Sequence, residues 1–196
     1  FLGAFSGQSP VRIEVHEVMP SGINGFVHLG ISNKERFRDQ LKAWFIQDET
    51  WADVEAEISR IEKDYGIRPL DDLIRVMEDE VAWFSIEGVT GSPGEEIMIM
   101  QTGSRSETRE VMMNWINRYL ESNQFDMRSL LHVYRLDDQT SFEIYRLPEP
   151  FFRGTAAGRL FNSYFTILEN HLLFGPSVED LSRVIYQNIL QKTFVN

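Results

Sequence analysis

The chain has 196 residues, 42% hydrophobic, 12% aromatic and 25% charged, with a formal net charge of −11 and no cysteine. That length suits one domain of moderate size or two small ones, and the balance of apolar and charged residues excludes wholesale disorder. The acidic balance argues against nucleic-acid binding, whose affinity comes largely from Lys and Arg, and the lack of cysteine removes disulfides, thiolate nucleophiles and cysteine-ligated metals.

The opening "FLGAFSG" lacks the basic start and the length of a signal peptide, and no apolar run approaches the roughly 18 residues that span a bilayer. Because it begins at Phe1, the chain is expected to be a fragment of a longer protein or a processed form. "VRIEVHEV", from Val11 to Val18, alternates apolar and polar residues and predicts a half-buried strand. After the turn "MPSGING" comes a second short strand, "GFVHLG". A helix follows from about Asn33, with Phe37, Leu41, Trp44 and Phe45 on one face. A second helix, Trp51 to Tyr65, carries Val54, Ile58, Ile61 and Tyr65 on a stripe and ends at Gly66.

The middle of the chain repeats the scheme. A short helical stretch around Leu70 to Glu78 leads into "EVAWFSIEG", apolar on both faces and so expected to be an inner strand. "VTGSPG" turns the chain into "EEIMIM", and a helix over about Arg105 to Leu120 points Met112, Trp115, Ile116 and Tyr119 inward. "LLHVYRL" and "SFEIYRL" form a hairpin about "DDQT"; "SYFTILEN" with "HLLFG" forms another. A last helix uses Leu181, Val184, Ile185 and Ile189.

These elements predict an α+β fold in which antiparallel β-hairpins alternate with helices packed on one face of the sheet. Ser32, Ser104 and Ser177 begin the three helices that follow strands, at intervals of 72 and 73 residues, which suggests a worn internal repeat of about 72 residues. The whole of 1–196 is expected to be a single domain, or two tightly packed halves of about 1–122 and 123–196.

The three serine turns invite a catalytic or phosphate-binding interpretation, and their spacing answers it. Glu35, Glu107 and Asp180 stand three positions after the serines, the pattern of a helix cap in which hydroxyl and carboxylate satisfy the first N–H groups. A nucleophile elbow needs glycine two places after the serine, where this chain has Lys34, Ser106 and Glu179, and no Gly-Lys-Ser/Thr ending of a phosphate loop is present. Ser32, Ser104 and Ser177 are therefore assigned as structural helix caps.

Of the four histidines, His16, His28, His132 and His171, only His16 with His28 in one hairpin is a pair worth testing as metal ligands, and no tight ligand spacing supports it. No catalytic, metal or cofactor site is assigned, and no cofactor is expected. The acidic run containing Asp71, Asp72, Glu78 and Asp79 is read as a solvated helix face. The loop "PEPFFRGTAAGRLF", from Pro148 to Phe161, is longer than most connections, and Phe151 and Phe152 in it are candidate partner contacts, although burial of both under the loop in the core is the favoured reading.

Three segments together resemble an uncharacterised family of large extracytoplasmic, membrane- or lipid-anchored proteins of Bacteroidetes-type bacteria, a domain of unknown function. They are "MPSGINGFVHLGISNKERF", "LIRVMEDEVAWFSIE" and "YFTILENHLLFGPSVEDLSRVI", about a third of the chain. Where family members often carry glycine before the acidic residue of the second segment, this chain has "MEDE". The resemblance implies a periplasmic or otherwise extracytoplasmic location, with a cytoplasmic one as the alternative, and it implies no catalytic residues. The expected function is a non-enzymatic structural or protein-interaction module of a larger cell-envelope protein. Its partner is expected to be an unknown protein or the remainder of the same polypeptide, with no nucleic acid and no direct membrane insertion. The alternative is a carboxylate-dependent hydrolase with an unmarked active site.

Overall fold

A computed structural model describes residues 6–49, 51–86, 96–148, 151 and 163–190. In chain order these form β1 (Ile23–Gly30), α1 (Lys34–Gln47), α2 (Trp51–Tyr65), α3 (Pro69–Val76), β2 (Met77–Ile86) and β3 (Glu96–Thr102), followed by α4 (Arg105–Asn123), β4 (Leu131–Arg135), β5 (Ser141–Arg146), β6 (Tyr164–Leu168), β7 (His171–Gly175) and α5 (Val178–Ile189). The strands make one seven-stranded antiparallel sheet in the order β1-β2-β3-β7-β6-β5-β4, so the class is α+β as the hairpin and helix patterns require.

Alternation along the strands divides the core in two. Met98 and Met100 on β3, Phe165 on β6, and Leu172 and Phe174 on β7 point to one face, where they meet Ile61 of α2, Leu73 and Val76 of α3, and Val111, Met112, Trp115 and Ile116 of α4. Ile97 and Ile99 on β3, Ala82 and Phe84 on β2, and Leu168 and Leu173 point to the other, where they meet Leu181, Val184 and Ile185 of α5. The expectation that all helices share one face is thereby corrected: α1 to α4 cover one side and α5 the other. The cause is that β2, β3 and β7 are apolar on both faces, and each exposed face would cost roughly 1.5–3 kcal/mol per large side chain. Gly175 lets α5 come close, since a Cβ there would lie 2.8 Å from the Leu181 side chain.

The sequence between Val11 and Val18 is not a strand. It runs irregularly to Glu14 and makes one turn of 3-10 helix at Val15–Glu17. Val15, Val18 and Met19, at helical-turn spacing, are buried on the α5 face, while Ile13, which the strand pattern would bury, is 42% exposed. This segment is a strap laid across the sheet. The helical reading around Leu70 to Glu78 is shortened likewise: α3 ends at Val76, and "MEDE" opens β2.

The helix caps follow their chemistry with one displacement. The Ser104 hydroxyl accepts from the Glu107 N–H and Ser177 from the Asp180 N–H. Ser32 does not cap α1. The Asn33 side chain accepts from the Arg36 N–H at 2.8 Å, while Ser32 Oγ accepts from the Ser9 N–H at 2.8 Å and so ties the strap to the start of α1. Asn is as good a cap as Ser, and a cap one residue later ends the non-helical backbone where Asn33 is still extended. At the other end of α2, Gly66 takes φ +69, as the glycine stop predicts.

The proposed repeat does not describe the second and third hairpin–helix units. β2 lies on one side of β3 with α4 on one face, whereas β6 lies on the opposite side of β7 with α5 on the opposite face. Since β3 and β7 are antiparallel, direction, side and face are all reversed together, which is an inversion that no rotation of one unit onto the other produces.

Candidate functional site

The first concentration of chemistry is a polar row across one end of the sheet on the α5 face. Glu80 on β2 is 1% exposed, and its carboxylate accepts the Glu14 N–H at 2.7 and 2.9 Å and the Val15 N–H at 2.7 Å. Two successive N–H groups at the start of a helical turn form a small anion-holding concavity, and here the anion is the protein's own. His28 Nε2 on β1 lies 3.7 Å from Glu80 Oε1, beyond hydrogen-bond reach. On β3, Gln101 Nε2 donates to Glu14 Oε2 at 3.3 Å, and Gln101 pairs across the ladder with His171 on β7. His171 is buried, with no hydrogen-bond partner among the described residues on either ring nitrogen, and burial pushes its pKa down to about 4 against a smaller opposing pull from Glu14. The imidazole is neutral at pH 7. The row holds the strap in place.

The histidine pair weighed from the sequence is not assembled in the way expected. His16 sits in the 3-10 turn and not in a hairpin with His28. Among the described residues no group of three His, Asp or Glu side chains is arranged to hold a metal ion. His132 lies on β4 with its ring edge-on to Tyr164, and His171 is in the core.

Among the described residues, two concave regions on the other face carry charged linings. Between α4 and β5, a cavity of about 200 Å³ is lined by Arg105, Arg109, Met113, Glu143 and Tyr145. Arg109 hydrogen-bonds Glu143 and holds its carboxyl below the usual range, while burial raises the Tyr145 hydroxyl. A general acid for glycoside hydrolysis needs a raised carboxyl, so Glu143 is shifted in the wrong direction for that role. A groove of about 690 Å³ between α1, α2 and α3 has charged walls in which Arg38 pairs with Asp39 at 3.2 Å and Arg68 with Asp71 at 3.1 Å. Lys42 Nζ lies 4.7 Å from the Trp51 ring centroid.

Phe151, a candidate contact from the sequence, is 3% exposed and packs against Tyr65 at 5.3 Å, Trp115 at 5.8 Å and Tyr119 at 6.2 Å between ring centroids. It is a core residue and is withdrawn as a partner contact; Phe152 lies outside the described residues. Trp115, at the centre of this group, donates its Nε1 proton to Asp72 at 2.8 Å and so locks α4 to α3.

The remaining feature is an edge. Among the described residues β1 ladders only with β2, leaving its outer side as one border of the sheet. β1 lies within Val18 to Asn33, the longest stretch of the chain without Asp, Glu, Lys or Arg. Natural edges are usually blunted by charge, by Pro or by shortness. The opposite edge, β4, follows that rule: it has five residues, ends in Arg135 and runs into Asp137 and Asp138. β1 has eight residues and none of these guards, with Val27 58% exposed.

No family model, curated protein or solved structure matches this chain.

Sequence reasoning missed two of these features although signals for both were present. The apolar parity Ala82, Phe84, Ile86 extends back to Glu80, the first residue of the strand read from the sequence, which marks that glutamate as inward-facing. The charge-free run needed only a scan of charge along the chain.

Proposed function

We propose that this chain is a non-enzymatic protein-interaction module of a larger cell-envelope protein, and that it works by offering the β1 edge of its sheet to another polypeptide segment. The observation that carries the reading is the contrast between the two borders: eight uncharged residues at β1 against a short, charged β4. An unguarded edge is a template for strand addition, in which main-chain hydrogen bonds supply affinity and alternate side chains supply selectivity. The extracytoplasmic location rests on the resemblance of three segments to the envelope family. Those segments contain β1 with the start of α1, part of α3 with β2, and β6 and β7 with most of α5. No helix among the described residues is long and apolar enough to cross a membrane, so an anchor would belong to another part of the protein.

The test is photo-cross-linking in the cell from the full-length protein. A photoreactive side chain at Val27 should give a discrete protein adduct in the envelope fraction, and the same group at Val133 on the opposite edge should give none. Equal labelling at both positions, or no adduct at Val27, rejects the reading. Recovery of the protein in the cytosol rejects its compartment.

A further inference from the structure

Resting on that edge reading, we propose that the segment which pairs with β1 is the β1 strand of a second copy of this chain, joined antiparallel about a twofold axis that passes midway between the two copies of Val27. The first argument is charge. In a self-paired edge each residue meets either itself or another member of the same short set, and like charges directly opposite one another are destabilising. A strand that recruits an acidic or basic partner displays the opposite sign, whereas β1 displays none. In a chain of net charge −11, an edge without charge spares pairing with its own copy the like-charge contacts that would oppose it.

The second argument is register. A twofold axis perpendicular to the sheet preserves its faces, and residues opposite one another in an antiparallel ladder share a face, so the axis must pass between one residue and its own copy. The β1–β2 ladder is irregular between Ile23 and Gly25 and regular from Gly25 to Gly30. An axis at Val27 keeps the central pairs inside that regular stretch: Gly25 meets the partner's Leu29, and Leu29 meets the partner's Gly25. Among the described residues nothing lies within 4 Å of where a Cβ on Gly25 would sit, so there is room for the incoming leucine. Val27, the most exposed of the large apolar side chains described, is covered by its counterpart. On the other face Phe26 meets the partner's His28. An axis at Phe26 instead sets His28 against the partner's Asn24, at the irregular position. Pairing of β1 with a partner's β4 would bring Arg135 to the uncharged edge and, being head-to-tail, would leave a further β1 and β4 edge unpaired in every dimer.

The result is a continuous sheet across two copies, held by one strand pair. Such an interface is small beside the roughly 1,200–2,000 Å² of a stable complex, so the dimer is weak, and the repulsion between two acidic bodies makes it stronger at higher salt. A basic partner would show the opposite salt dependence.

The absence of cysteine from the chain makes the test clean. Twofold pairing brings the two Val27 Cβ atoms to within roughly 4.5–5.5 Å, near enough for a disulfide after small adjustment. Val27→Cys, mildly oxidised, should give a covalent dimer whose yield rises with sodium chloride, and Val133→Cys under the same conditions should give little. The unmodified chain should associate reversibly in sedimentation, and Val27→Lys, an exposed change whose folding is checked by its melting curve, should weaken association at least about tenfold. Equal oxidation of the two cysteine variants, or a chain monomeric at millimolar concentration in high salt, overturns self-pairing. If the chain is monomeric yet Val27 photo-cross-links to a different protein, self-pairing falls and the edge reading stands. If neither is seen, both fall.

Discussion

The buried carboxylate of Glu80 accepts the N–H of Val15 at 2.7 Å, although the two residues stand 65 positions apart in the chain. One side chain on β2 thus takes the place of the strand partner that the alternating pattern around Val15 calls for. Burying a carboxylate is costly unless its lone pairs are filled, and the two backbone donors of Glu14 and Val15 fill them.

Glu80→Gln keeps the shape and removes the charge. The amide offers one acceptor oxygen, and its NH2 group confronts a backbone N–H. A loss of about 2 kcal/mol is expected by chemical denaturation, together with faster amide exchange at Val15 than at the β3–β7 seam. Unchanged exchange at Val15 would mean that the strap is held by its apolar residues alone.

His171 makes stability depend on pH. Its folded pKa of about 4 lies below the ordinary 6.5, so the unfolded chain takes up the proton first. The stability is complete above 6.5 and is lost as pH falls from there toward 4, by an amount on the order of 3 kcal/mol. His171→Leu should reduce the difference in urea stability between pH 7 and pH 4 by a quantity of that order, because carboxylates contribute equally to both proteins. Parallel pH profiles would refute the assignment.

The displaced cap separates two neighbouring residues. Asn33→Ala should cost about 1 kcal/mol of unfolding free energy, as the Arg36 N–H loses its acceptor. Ser32→Ala, which loses an exposed bond to the Ser9 N–H, should stay within about 0.5 kcal/mol. A larger loss at Ser32 than at Asn33 would reverse the assignment.

How much was legible depends on whether the deciding interaction is local. The stripe Val54, Ile58, Ile61, Tyr65 and the stop at Gly66 state α2 within fifteen residues, and the structure has it at Trp51–Tyr65. The hairpins around Asp137 and Glu169 were equally plain, because turn and alternation are neighbours in sequence. The strap was not legible. Val11, Ile13 and Val15 alternate as a strand does, and only the distant Glu80 and the apolar face left open by α5 turn Val15, Val18 and Met19 inward. Phe151 was legible only in part: burial was the favoured reading, but its neighbours Pro148 and Gly154 describe a loop, while its partners Tyr65, Trp115 and Tyr119 come from α2 and α4. The candidate edge occupies a middle position. Its freedom from charge is in the sequence, and its place at the border of the sheet appears only when the strand order is known.

The β3–β7 pairing has a consequence for how the molecule is made. Strands β1 to β3 come from the first part of the chain and β4 to β7 from the last, and Gln101 meets His171 across 70 residues. Every other neighbouring pair is reached by a shorter route along the chain. Closing so long a loop is paid in entropy before its hydrogen bonds form, which places this seam late in folding. Until it closes, β3 and β7 are themselves bare apolar borders, and a newly made chain carries its greatest hazard of joining the wrong neighbour at what becomes the centre of the sheet.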